Sequence, residues 1–136
     1  MGKSTILKTL QQISEEPVSV ICGDRPVLEL REDTVWLHPS PWNGKENWYG
    51  APAAPLKGLF LLVRGEKNSI ELLPPTHAIL PLLQSLVCSR EDEKLVRLYT
   101  SFLEKLLQRV PVLRFCDRDP QGAAEALLAY MREVLP

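Results

Sequence analysis

Gly2-Lys3-Ser4-Thr5 stands at the head of a segment with helical spacing, and residues of these types in this order suit phosphate binding. Glycine lets backbone N–H groups close around phosphate oxygens. Lysine brings a point charge to the outer phosphates, and the first hydroxyl residue, here Ser4, can ligate Mg²⁺. A helix that starts at such a loop favours an anion through its unpaired N–H groups and its dipole. These residues match the end of the pattern G-x-x-x-x-G-K-[ST]. The upstream glycine, the loop and the strand that feeds it are not in the sequence, so an N-terminally truncated loop is expected. The competing reading is a plain helix start capped by Ser4 or Thr5.

Three further residues carry suitable chemistry. Asp24 ends the run Val20-Ile-Cys-Gly-Asp24, and an acid at a strand end can hold Mg²⁺ or act as a base. Lys45 lies in the segment Pro41-Trp-Asn-Gly-Lys-Glu46, where Trp42, Trp48 and Tyr49 could stack on a base or pin the loop to the domain. Arg64 follows an apolar run and could meet a phosphate. Each also has a structural reading: Gly-Asp as a turn, Lys45–Glu46 as a solvated pair, Arg64 as edge polarity. His38 and His77 have no evident carboxylate or Cys companions and read as structural or exposed.

The elements that must position these groups follow from periodicity. Ile6, Leu7, Leu10 and Ile13 share a helical face, ended by Ser14-Glu-Glu-Pro17. Val18–Cys22 reads as a short strand. Pro26–Leu30 and Thr34–His38 flank Arg31-Glu32-Asp33 as a hairpin. Residues 39–55 form a long loop rich in Pro, Gly, Ala and aromatic residues. Leu56–Arg64 is almost continuously apolar and reads as a buried strand. The turn Gly65-Glu-Lys67 and a strand over Asn68–Leu73 predict a second hairpin. Helices are expected over Thr76–Val87, with Pro81 inside, over Glu91–Val110, capped by Ser89 with a stripe of Leu95, Leu98, Tyr99, Phe102, Leu106 and Leu107, and over Gln121–Leu135. Pro111–Cys116 is a further strand. The expected class is α/β: one domain over residues 1–136, a mixed sheet with hairpins flanked by helices.

The order of these segments resembles bacterial proteins of the HPr serine kinase-like and phosphoenolpyruvate carboxykinase-like P-loop family. The matching pieces are Gly2-Lys-Ser-Thr5, the run ending in Gly23-Asp24, Pro41-Trp-Asn-Gly-Lys-Glu46, Pro55-Leu-Lys57 and Arg64-Gly-Glu-Lys-Asn-Ser-Ile70. The resemblance covers residues 2 to about 73 and extends in pattern to the Ala-rich last helix, Asp119 to Tyr130. It implies a nucleotide-binding protein, ATP or GTP with Mg²⁺, and a phosphotransferase whose acceptor is a protein or a small molecule. Gly2, Lys3, Ser4 and Thr5 would bind the phosphates, Ser4 and Asp24 the metal, and Asp24, Lys45 and Arg64 would serve catalysis. The C-terminal signature of true HPr kinases is not matched, so HPr itself is not implied as substrate. The alternative is a non-catalytic binding or scaffold module that keeps the fold without the phosphate loop. A third reading places the true start upstream of Met1.

Bulk properties bound these readings. The chain has 136 residues, 45% apolar and 24% charged, which suits one globular domain. A net charge of −1 argues against a nucleic-acid footprint. The three cysteines are dispersed, without metal-ligand spacing, and read as reduced thiols in a cytoplasmic protein. The longest apolar run, Gly58–Val63, is too short to span a bilayer. A sheet that lacks a strand would leave an edge open to self-association.

Overall fold

Apolar alternation builds the first pair of strands. Val27–Arg31 (β1) and Thr34–His38 (β2) pair antiparallel from Val27↔His38 to Arg31↔Thr34, so Glu32 and Asp33 alone make the turn. Glu32 takes φ +40°, the left-handed region that tight hairpin turns use. The two residues Ala54–Pro55 (β3) add to the other side of β2. The computed structural model describes residues 2–42, 48, 50–85 and 91–134. Among these the chain is mixed α/β, with two three-stranded sheets and four helices.

The second sheet departs from expectation. Leu59–Arg64 (β4) and Ser69–Leu73 (β5) do not pair with each other. Val112–Asp117 (β6) lies between them, parallel to β4 and antiparallel to β5. Burial explains the choice: Val112, Leu113, Phe115 and Asp117 are all at most 3% exposed, as suits a central strand with both faces covered. The link from β4 to β5 therefore passes over the end of β6 and is tied to it. Gly65 N–H donates to the Asp117 carbonyl at 3.0 Å. Asn68 Oδ1 accepts from Arg118 N–H at 2.8 Å, and its Nδ2 donates to Asp119 Oδ1 at 3.0 Å. A Cβ at Gly65 would lie 2.0 Å from Cys116 Sγ, so only glycine passes here without displacement.

Helices cover both faces of this sheet. On one, Lys3–Ile13 (α1) and Pro120–Val134 (α4) pack Ile6, Leu10, Ala123 and Ala124 against Phe115, with Phe60 and Leu62 from β4 alongside. On the other, Pro75–Ser85 (α2), Glu93–Arg109 (α3) and the first sheet enclose Ala78, Leu82, Leu103, Leu106 and Val35 around Val112. Full burial of a leucine such as Leu103 or Leu106 contributes about 1.5–3 kcal/mol. No helix among the described residues is long and apolar enough to cross a membrane.

Three local expectations are corrected. Val18–Cys22 is irregular, with a bend at Ile21, and forms no strand. It spends its hydrogen bonds on side chains: Gln11 Nε2 donates to the Val18 carbonyl at 3.1 Å, and Val18 packs on the α1–α4 core. The cap of α3 is Asp92, whose carboxylate accepts from Lys94 N–H at 3.0 Å and Leu95 N–H at 3.3 Å. Ser89, the expected cap, lies outside the described residues. Leu98 is 64% exposed, and Leu103 takes its place on the buried stripe.

Candidate functional site

The N-terminus of α1 is built for close approach. Gly2 holds φ +94° at the N-cap, its carbonyl accepts the first helical bond from Ile6 N–H at 3.0 Å, and it offers no capping side chain. No acidic residue stands in the first turn. The first-turn N–H groups thus lack the side-chain cap that usually satisfies one of them. This removes the reading in which Ser4 or Thr5 caps the helix, since both lie inside it. Lys3 and Thr5 are exposed and Ser4 is half-buried.

Beside this helix end sits an acid that the sequence reading did not select. Asp117 is the last residue of the central strand β6, and it is 2% exposed. Its Oδ1 has no hydrogen-bond partner. A Cβ placed on Gly2 would meet Asp117 Oδ2 at 3.5 Å and Leu62 Cδ2 at 3.8 Å, so the carboxylate is aimed at the start of α1. Buried carboxylates without partners are costly and rare, and each asks for an explanation. The rule that drew attention to Asp24, an acid at a strand end, would have found Asp117 had it been applied to Pro111–Cys116 and the residue after it.

Arg64 closes β4 and pairs in register with Asp117. The structure therefore brings Gly2, Lys3, Ser4, Arg64 and Asp117 to one end of the sheet. It is the carboxyl end of two parallel strands, where open α/β sheets bind ligands.

Asp24 is not part of this group. It is exposed, on an irregular segment, and makes no hydrogen bond or ion pair with Lys3 or Ser4. Its segment is fastened to residues 40–42 instead. Arg25 N–H donates to the Trp42 carbonyl at 3.0 Å, Cys22 Sγ donates to the same oxygen at 3.3 Å, and Ser40 Oγ donates to the Arg25 carbonyl. Asp24 thus neighbours the start of the Trp-bearing loop, whose Trp42 is 58% exposed. Lys45 and Tyr49 lie outside the described residues, while Trp48 is half-buried. The pairing of Ser4 with Asp24 as metal ligands has no contact to support it. No group of three or more His, Cys, Asp or Glu able to hold a metal occurs among the described residues. Mg²⁺ binds through one or two protein carboxylates plus phosphate and water, and Asp117 is the carboxyl that lies beside the start of α1.

A second polar cluster lies on the hairpin. Glu29 Oε1 accepts from Arg31 Nε at 2.7 Å and contacts His38 Nε2 at 2.8 Å. Arg31 also stacks over Trp36 at 5.1 Å from the ring centroid. The His38 contact holds the Glu29 carboxyl below its ordinary range; burial works the other way, and Arg31 adds to the lowering. His38 therefore has the carboxylate companion that the sequence reading denied it, supplied diagonally across the hairpin. Every member is partnered, so this cluster reads as hairpin stabilisation.

Comparison with known proteins finds no matching family model, no matching curated protein and no matching solved structure.

Proposed function

We propose that this chain is a phosphate-binding α/β domain whose ligand is the polyphosphate of a nucleotide, ATP or GTP, accompanied by Mg²⁺. The observation that carries the reading is the meeting at Gly2: an uncapped helix N-terminus beside the buried carboxyl of Asp117, whose Oδ2 faces Gly2 and whose Oδ1 has no hydrogen-bond partner. A carboxylate in that place repels a bare phosphate. It fits a phosphate that arrives with a cation, which would neutralise both groups. In this reading the α1 N–H groups and Lys3 bind phosphate oxygens, and Ser4 and Asp117 hold the cation. Arg64 lies near enough in register to take a further phosphate oxygen. The resemblance to HPr kinase-like P-loop proteins supports the same ligand class.

Binding is better supported than turnover. Phosphoryl transfer needs a base or positioning group near the acceptor, and Asp24, the residue expected to supply it, is exposed on an irregular segment and makes no hydrogen bond or ion pair with Lys3 or Ser4. The second reading, a non-catalytic binding module, rests on that separation. Calorimetric titration with Mg-ATP tests the proposal. Saturable binding is expected, weakened by about tenfold or more in Lys3→Ala, since a hydrogen bond to a charged group contributes roughly 1.5–3 kcal/mol. Absence of binding, or binding indifferent to Lys3→Ala, would overturn it. A phosphotransferase reading would require slow ATP hydrolysis that is lost in Asp24→Asn.

A further inference from the structure

The strand β4 is written like a central strand but stands at an edge. Leu59–Val63 carries no charge, no proline and no bulge, and all five residues are half-buried. Edge strands in soluble proteins are normally protected by such devices. The opposite edge, β5, has Ser69 and Glu71.

Backbone pairing shows what the edge offers. Leu59 N–H donates to the Pro111 carbonyl and Gly65 N–H to the Asp117 carbonyl, both at 3.0 Å. In a parallel ladder this phase turns residues 59, 61, 63 and 65 toward β6. Phe60, Leu62 and Arg64 therefore turn their N–H and C=O groups outward, where no strand pairs with them among the described residues. A groove of about 720 Å³ reaches this edge at Phe60–Val63 and extends to Arg114 of β6 and Leu73 of β5, with Lys3, Pro81 and Ser85 also in its lining.

We propose that this edge pairs with the same edge of a second copy, β4 against β4 across a two-fold axis at Leu62. The chemistry is self-complementary. Antiparallel pairs in which both residues face each other exchange both bonds, so Leu62 meets Leu62 of the other copy and Phe60 meets Arg64. All outward donors find acceptors. The only charge in the strand, Arg64, lies across from an aromatic ring rather than another arginine, a pairing that cation–π attraction favours. A two-fold axis normal to the sheet keeps α1 and α4 of both copies on one face, giving a continuous six-stranded sheet. The inference does not require the phosphate reading: the pairing itself comes from the β4 backbone, and Arg64 is the one residue the two share.

Light scattering over a dilution series, combined with residue-resolved amide exchange, tests it. A dimer that dissociates on dilution is expected. The amides of Phe60, Leu62 and Arg64 should be protected in the dimer and lose protection with dissociation, while those of Leu61 and Val63, bonded to β6, stay protected throughout. Leu62→Pro removes one outward donor and leaves the β6 ladder intact; it should yield a folded monomer by circular dichroism. A monomer at all concentrations overturns the proposal, whether the three amides exchange freely or are covered by the chain itself. A dimer in which they exchange freely overturns it too, by placing the interface elsewhere.

Discussion

The two sheets handle their polar groups in opposite ways. In the first, Glu29, Arg31, His38 and Trp36 lie on one hairpin and satisfy one another. In the second, Asp117 Oδ1 is buried without a partner beside the start of α1. Both are small and three-stranded, so size does not explain the contrast. Among the described residues the orphaned buried side-chain atom lies where β4 and β6 end and α1 begins, the place at which the proposed cation-bound phosphate would supply what is missing. The charged side chains of the hairpin are partnered among themselves.

Substitutions can break or sharpen that contrast. The largest effect is expected in the shared core. Leu106→Ala, at 1% exposure, should cost about 2–5 kcal/mol in denaturant unfolding. A comparable loss should follow Gly65→Ala, which forces Cys116 or the link over β6 to move; overpacking of this kind costs about 1–3 kcal/mol.

Next comes the diagnostic pair. Asp117→Asn replaces a buried carboxyl whose Oδ1 has no partner by a neutral amide and should raise the thermal midpoint of the Mg²⁺-free protein by the equivalent of about 1 kcal/mol. If Asp117 served only to offset the α1 dipole, the same change would lower the midpoint. Glu29→Gln should do the opposite of Asp117→Asn and destabilise slightly, because it takes a partner from both His38 and Arg31.

The smallest effect is a pH dependence at the start of α4. Asp119 is lowered from its ordinary value first by the Gly122 N–H, bonded at 2.7 Å, and then by Asn68. A carboxyl depressed in the folded state contributes stability above its unfolded value, about 4, and loses that contribution as the pH falls through its folded value. Asp119→Ala should therefore lower stability at neutral pH, and the difference from wild type should vanish in strong acid.

Much of the fold was legible. Helical periodicity placed the four helices of the described residues, and the β1–β2 hairpin formed as expected, except that Arg31, expected in the turn, belongs to β1 and leaves Glu32 and Asp33 alone there. What failed shares a cause: the deciding partner was far along the chain. Leu56–Arg64 and Asn68–Leu73 look like hairpin arms because the turn between them is short. Their separation is imposed by β6, which is the better-buried strand. Val18–Cys22 has a β-rich composition, yet composition cannot show whether a neighbouring strand exists to pair with it. In the candidate site, Gly2–Ser4 were chosen from local chemistry, whereas Asp117 lies in the charged run Asp117-Arg-Asp119 and is singled out only by burial. Register places Arg64 beside Asp117, and the strand expected to carry Asp24 does not form.

The central claim is that the α1 N-terminus and Asp117 together receive a cation-bound phosphate. The most direct measurement follows the backbone amide resonances of Lys3, Ser4 and Thr5 during titration with magnesium tripolyphosphate, in wild type and in Asp117→Asn. The account predicts saturable shifts at these amides that need Mg²⁺ and are lost in the variant. Unmoved amides, or shifts that persist unchanged in Asp117→Asn or without Mg²⁺, would contradict it.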